Sequence, residues 1–187
     1  EHQAVPFAVF KATGVAKFSL LEKYSAGEPF NEIESRAWTR AKNRIEEICY
    51  TANKYGLRIM IDAEESWIQK AIDEITVQMM ERFNKEKVMV INTLQMYRND
   101  RIDYMKESLE TAERKGFKFG AKLVRGAYME KERERAEKMG YPDPIHKTKA
   151  DSDKSYDDGV RLMIENIDDG LLVAGSHNEE SARLLSE

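Results

Sequence analysis

Residues 57–65 read Leu57-Arg-Ile-Met-Ile-Asp-Ala-Glu-Glu65, and residues 87–95 read Lys87-Val-Met-Val-Ile-Asn-Thr-Leu-Gln95. Between them Ile68, Ala71, Ile72, Ile75, Met79 and Phe83 recur at helical spacing. Each outer run is short and rich in apolar residues, as a strand buried on both faces must be. The middle stripe repeats every three to four residues, the period of one helix face. Strand, helix and strand in that order make a right-handed crossover with its two strands parallel.

The same alternation runs outward to both ends. Further strand-like runs stand at Pro6–Thr13, Phe117–Ala127 and Gly170–Ser176. Asn31 and Glu34 have capping-box spacing, followed by Ile33, Ala37, Ala41, Ile45, Ile48 and Ala52, with Gly56 as the stop. A cap at Asp100 opens a stripe of Ile102, Met105, Leu109 and Ala112 that closes at Gly116. Ser152–Ile167 repeats the pattern, Glu179–Glu187 reads as a last helix, and the charged run Glu130–Lys138 reads as a solvated helix face. Strict alternation predicts an α/β parallel sheet, either doubly wound or a barrel. No Gly-x-Gly-x-x-Gly follows the first strand and there is no P-loop, which argues against a dinucleotide-binding doubly wound sheet.

Composition bounds the partners. At 187 residues, 34% charged and 41% hydrophobic, the chain suits one globular domain, residues 1–187. A net charge of −4, with both signs interspersed, offers nothing to attract nucleic acid. No apolar stretch reaches the ~20 residues that span a bilayer. Cys49 is the single cysteine, so no intrachain disulfide forms and a reducing compartment is favoured. The chain starts close to an apolar run and ends in a helical one, which predicts a piece of something longer.

What closes each apolar run carries the chemistry. Lys11 ends the first; Asp62, with Glu64 and Glu65 beyond it, the second; Asn92 and Gln95 the third; Arg125 and Tyr128 the fourth; Ser176, His177 and Asn178 the fifth. All stand at the carboxyl ends of strands, the end that carries the active site of a β/α barrel. A charge buried there alone costs several kcal/mol, so Lys11, Asp62 and Arg125 should pair with one another or with a ligand. Plainer roles fit several of these residues. Asp62 could cap the next helix, Glu64 and Glu65 suit a first helical turn, and a lone His177 suits a structural role. His2, His146 and His177 are too scattered for a metal site, and no ligand spacing is present. Trp38, Trp67 and the methionines read as packing. Without a nucleophile elbow, covalent catalysis would fall to Lys11 as a Schiff base. Otherwise the cations and amides suit an anionic substrate and a cofactor that does the hard step.

At these residues the chain resembles the proline dehydrogenases of mitochondria and related bacteria. The resemblance is carried by Ile61-Asp-Ala-Glu64, Asn92-Thr-Leu-Gln-Met-Tyr97, Gly120-Ala-Lys-Leu-Val-Arg-Gly-Ala-Tyr128 with Glu132 and Arg133, Gly140-Tyr-Pro-Asp-Pro144 and Ser176-His-Asn178. It implies a (β/α)₈ TIM-type barrel, of which this chain supplies about five consecutive units. It also implies non-covalent FAD and oxidation of L-proline to Δ1-pyrroline-5-carboxylate by hydride transfer to flavin N5. Lys11 would face the proline carboxylate, Asp62 would hold carboxylate-binding arginines, and Ala127 and Tyr128 would shape the substrate pocket. Gln95 and Lys122 would meet the isoalloxazine, with backbone approach at Val124 and Gly126. Ser176, His177 and Asn178, with Lys147 and Lys149 in a loop, would meet the diphosphate and adenosine.

The resemblance also places a strand before residue 1, two strands after residue 187, and a final helix bearing the arginines and a flavin-contacting glutamate. Electrons would pass to a quinone or another acceptor at a membrane surface. The protein would sit in the bacterial cytoplasm, peripheral to the inner membrane, or in the mitochondrion of a eukaryote. A class I aldolase-like barrel using Lys11 and an inactive barrel fragment stand as the competing expectations.

Overall fold

The computed structural model describes residues 6–185, Asp169 by its backbone alone. His2 and the end of the expected last helix at Glu187 lie outside the described residues. Five parallel strands form one sheet: β1 (Phe7–Lys11), β2 (Arg58–Asp62), β3 (Val90–Gln95), β4 (Phe119–Val124) and β5 (Gly170–Ala174). Their order in the sheet is their order in the chain. That is barrel progression; a doubly wound sheet reverses direction partway.

Seven helices accompany the strands among the described residues: α1 (Phe18–Ser25), α2 (Glu32–Lys54), α3 (Ser66–Phe83), α4 (Arg101–Lys115), α5 (Met129–Met139), α6 (Lys149–Glu165) and α7 (Glu179–Leu184). The Asn31–Glu34 capping box forms as its spacing predicts, and Gly56 and Gly116 take positive φ just past their helices. The main core lies between helices and sheet, with Ile59, Ile61, Val90, Leu94, Ala121 and Leu123 facing Ile45, Ile68, Ile72, Met105 and Tyr156. Cys49 is buried there, and burial pushes its thiol up to about 12, which rules it out as a nucleophile.

Several expectations change. Ile33, placed on the apolar stripe of α2, is 78% exposed, and the stripe runs through Trp38, Ala41 and Ile45 instead. Trp38 stacks on Tyr24 of α1, a two-turn helix too short to show a period. Asp100 precedes α4 without capping it, because its carboxylate is taken by Arg98 and Arg101. The long run before β3 pairs only from Val90. Asn84 holds its entrance, accepting from the backbone N–H of Met89 and of Val90. Helix α6 starts at Lys149 rather than Ser152, since Thr148 and Asp151 form a second capping box.

Glu64 and Glu65 both precede α3 and so are not first-turn acids. Glu64 accepts from the Thr13 backbone at 3.0 Å and from the Thr13 hydroxyl, and Glu65 pairs with Lys131. Nor does Asp62 cap α3. Glu132 reaches across from α5 and accepts from the Ser66 N–H at 2.6 Å and the Ser66 hydroxyl at 2.5 Å. The charged run 130–138 is a helix, but Glu132 is fully buried, so its face is not wholly solvated.

Candidate functional site

Successive side chains of a strand alternate between its two faces. Ile59, Ile61, Asn92, Leu94, Ala121 and Leu123 face the helices, which turns Met60, Asp62, Thr93, Gln95, Lys122 and Val124 to the other face. The register then lines these up. Lys11 pairs with Asp62, Asp62 sits one step past the Ile61–Asn92 pair, and Thr93 pairs with Lys122. Lys11, Asp62, Thr93 and Lys122 thus form one polar rung across four strands. Below it the same face is apolar, with Phe7 and Leu171 packed against Met60, Val88 and Ile91, and Val173 carries the apolar surface up to the level of Lys122 on β5.

Asp62 is held within the rung, accepting from Lys122 Nζ at 2.8 Å and, more weakly, from Thr93 Oγ1 at 3.4 Å. Its cation is therefore Lys122, not Lys11 or Arg125. Arg125 turns to Asp153 of α6 and to Ser176 and Ser181. Asn92 also departs from the expected role, because its side chain faces α3 and donates to Asp73 at 2.9 Å. Lys11 donates to the Tyr128 hydroxyl at 3.1 Å. Burial pulls the Lys11 ammonium down, but that hydrogen bond and the charges of Tyr128, Asp62 and Glu64 outweigh it. The net shift is upward, so Lys11 stays protonated.

A cavity of about 620 Å³ opens over the rung at the carboxyl ends of the strands. Lys11, Asp62, Gln95, Lys122, Val124, Gly126, Ala127, Tyr128, Lys149, Ser176, His177 and Asn178 all line it. Of the substrate- and cofactor-binding residues that the resemblance implies, only Lys147 falls outside, on the exposed turn before α6; Lys149 belongs to the first turn of α6 rather than to a loop. Ala63, Thr93 and Gly175 line the cavity without having been anticipated. Thr93 was findable, since it lies two positions before Gln95 and so shares its face.

Four cationic side chains line the cavity against one carboxylate, Asp62, which suits an anionic ligand. Gln95 Oε1 is buried without a hydrogen-bond partner. Gly126 has φ +137°, and a Cβ there would stand 2.5 Å from the Tyr97 ring, so this stretch stays bare backbone. A second cleft of about 630 Å³ lies on the outer surface between α3 and α4. There Asp73 accepts from Arg101 at 2.8 Å, and Asp100 takes both Arg101 and Arg98. Charges of both signs pair with one another in that cleft, and no strand end opens into it.

Known proteins align with the geometry. The family described as Proline dehydrogenase matches residues 5–187. The human protein named Proline dehydrogenase 1, mitochondrial is 38% identical over 157 residues, 82% of this chain and 26% of the relative. Its Drosophila melanogaster namesake is 42% identical over 151 residues, 75% of this chain and 22% of the relative. The chain thus spans about a quarter of the length of these curated relatives. Among solved structures, proline utilization A from Bdellovibrio bacteriovorus, in a form inactivated by N-propargylglycine, superposes with a TM-score of 0.82. It is 22% identical, and the match covers 95% of this chain and 18% of that one. The fold is accordingly of the TIM-barrel type, and these residues form five consecutive units of it.

Proposed function

We propose, for a chain that belongs to the proline dehydrogenase family, that its strand-end cavity binds FAD and L-proline and oxidises proline to Δ1-pyrroline-5-carboxylate. The observation that carries this reading is the polar rung Lys11–Asp62–Thr93–Lys122 under a cationic cavity at the carboxyl ends of parallel strands. The residues present suit a flavin: an unpartnered buried amide oxygen at Gln95, a cation at Lys122, and backbone left bare at Gly126. When bound, the flavin supplies the hydride acceptor, at N5, for the proline carbon next to nitrogen.

The chain's own residues do the rest. Lys11 neutralises the proline carboxylate; its raised pKa keeps it charged, and a charge-assisted contact is about twice as strong as a neutral one. The same protonation weighs against the Schiff-base reading, which needs a neutral amine. Tyr128 positions the Lys11 ammonium and, with Ala127, walls the substrate ring. Asp62 fixes Lys122, and Thr93 steadies Asp62. Ser176, His177, Asn178 and Lys149 form the far wall, where the diphosphate and adenosine would lie.

The sheet pairs on one side only at β1 and β5. On this reading the remaining strands and the carboxylate-clamping arginines come from outside residues 1–187. Reduced flavin would then pass electrons to a quinone or another acceptor at a membrane surface. No helix among the described residues is long and apolar enough to cross a membrane. An anaerobic visible spectrum of the full-length protein tests the assignment. A flavin spectrum that bleaches on adding proline supports it, and a protein that stays colourless after incubation with FAD refutes it.

A further inference from the structure

We propose that Arg125 is a positioning residue that fixes the Ser176–Asn178 loop for the diphosphate–adenosine half of the cofactor. It would thereby set the preference for a dinucleotide flavin over a mononucleotide one. The proposal rests on the flavin reading above.

Arg125 sits at the first position past β4, where the resemblance assigns no contact. Its guanidinium spends donors in three directions. Nε donates to Asp153 Oδ1 at 2.5 Å, Nη1 to Ser176 Oγ at 2.7 Å, and Nη2 to Ser181 Oγ at 3.1 Å. The group also lies over the Tyr156 ring, 4.5 Å from its centroid. One side chain therefore ties the end of β4 to α6, to the loop after β5 and to α7. With its fork so engaged, Arg125 places other groups instead of gripping a ligand.

What it places is the wall of the cavity. Ser176 Oγ, held by Arg125, accepts from the Asn178 N–H at 3.0 Å. Asn178 Oδ1 in turn accepts from the N–H groups of Glu180 and Ser181. The other end of the loop is pinned by backbone: the Gly175 N–H donates to the Leu123 carbonyl at 2.8 Å. A Cβ on Gly175 would come within 2.8 Å of Val124 Cγ1, so the loop cannot lift there without losing its seat on β4. His177 is carried between these two anchors, and it lines the cavity. Asp153 shares its second oxygen with Lys149 Nζ at 2.5 Å, so the same ion pair also places the cation of the far wall. A lysine at position 125 would keep the charge and lose the planar fork, whose three separate nitrogens meet Asp153, Ser176 and Ser181.

The test measures Kd for FAD and for FMN on apoprotein of the full-length chain, in wild type, Arg125→Lys and Ser181→Ala. Ser181 does not line the cavity, so its loss acts through Arg125 and through its own bond to Asp157 of α6. We expect Arg125→Lys to weaken FAD about tenfold or more and FMN by less than about twofold, as befits losing hydrogen bonds to a charged group. Ser181→Ala should move the ratio the same way by about threefold, the scale of one such bond. Equal weakening of both flavins would mean a general scaffold role and overturn the proposal; so would unchanged FAD binding in Arg125→Lys. If the wild type binds neither flavin, the cofactor reading falls and the proposal falls with it.

Discussion

The two clefts are almost equal in volume, about 620 Å³ at the strand ends and about 630 Å³ between α3 and α4, and both are lined by charge. They differ in where that charge is spent. In the outer cleft Asp73, Arg101, Asp100 and Arg98 neutralise one another in a connected network, anchored to the sheet through Asn92. In the strand-end cavity Lys11 hydrogen-bonds only the Tyr128 hydroxyl among the described residues, and cations outnumber carboxylates. Volume does not separate a binding site from a structural seam; leftover valence does. The outer cleft should therefore govern stability and the inner one ligand binding, and variants can break that division.

The largest expected effect is at the outer network. Asp73 accepts from Gln69, Asn92 and Arg101, so Asp73→Ala takes from a buried guanidinium one of its two carboxylates and from two amides an acceptor. It should lower the unfolding free energy by about 3–5 kcal/mol in urea titration. Flavin affinity of the folded fraction should stay within about threefold. A loss of affinity without a loss of stability would dissolve the distinction between the clefts.

Lys11→Ala is the converse. In the full-length protein it should lower kcat/KM for proline about a hundredfold, the cost of removing one member of a desolvated charge pair. Its unfolding midpoint should hardly move, because Lys11 buries little and holds no other element in place. An unaltered kcat/KM would remove Lys11 from the proposed site. Gly126→Ala should affect both properties, as it forces a Cβ into positive φ against the Tyr97 ring. About 1–3 kcal/mol of stability should go, together with flavin affinity, measured by melting and by fluorescence titration.

These variants also mark what local sequence could show. The strand–helix alternation, the polar strand ends and two helix stops were legible because each is a period or a cap within a few residues of itself. Pleat parity was enough to extend that reading to Thr93, which the strand-end pattern alone passed over. The partners of the buried charges were not legible. Glu132 caps a helix 66 residues away, Glu64 accepts from Thr13 51 residues away, and Asp73 meets Arg101 28 residues on. Nothing in a local period encodes such choices; they follow from which helices the sheet sets side by side. Asp100 shows the same competition, since its sequence context suits a cap while two arginines supply a stronger claim on its carboxylate.

The smallest effect is a pH dependence. Burial alone would raise the Asp100 pKa, but Arg101 and Arg98 outweigh it and hold the carboxyl down at about 2. A depressed carboxylate stabilises the fold above its unfolded pKa and loses that contribution as pH falls toward the folded one. The fall should therefore lie between about pH 4 and 2, and Asp100→Asn should flatten it in urea midpoints taken across that range. The side chain is 46% exposed, so solvent screening keeps the effect modest.

Because each strand pairs with the one made just before it, the wall can be laid down in order as the polypeptide leaves the ribosome. Each new crossover finds its neighbour already in place. The groups that converge over the rung do not mature on that schedule. Lys11 must wait 117 residues for Tyr128, and the far wall at Ser176–Asn178 comes later still. A nascent chain halted before that segment would hold most of these five strands and no complete cavity, so the site closes only after the sheet that frames it.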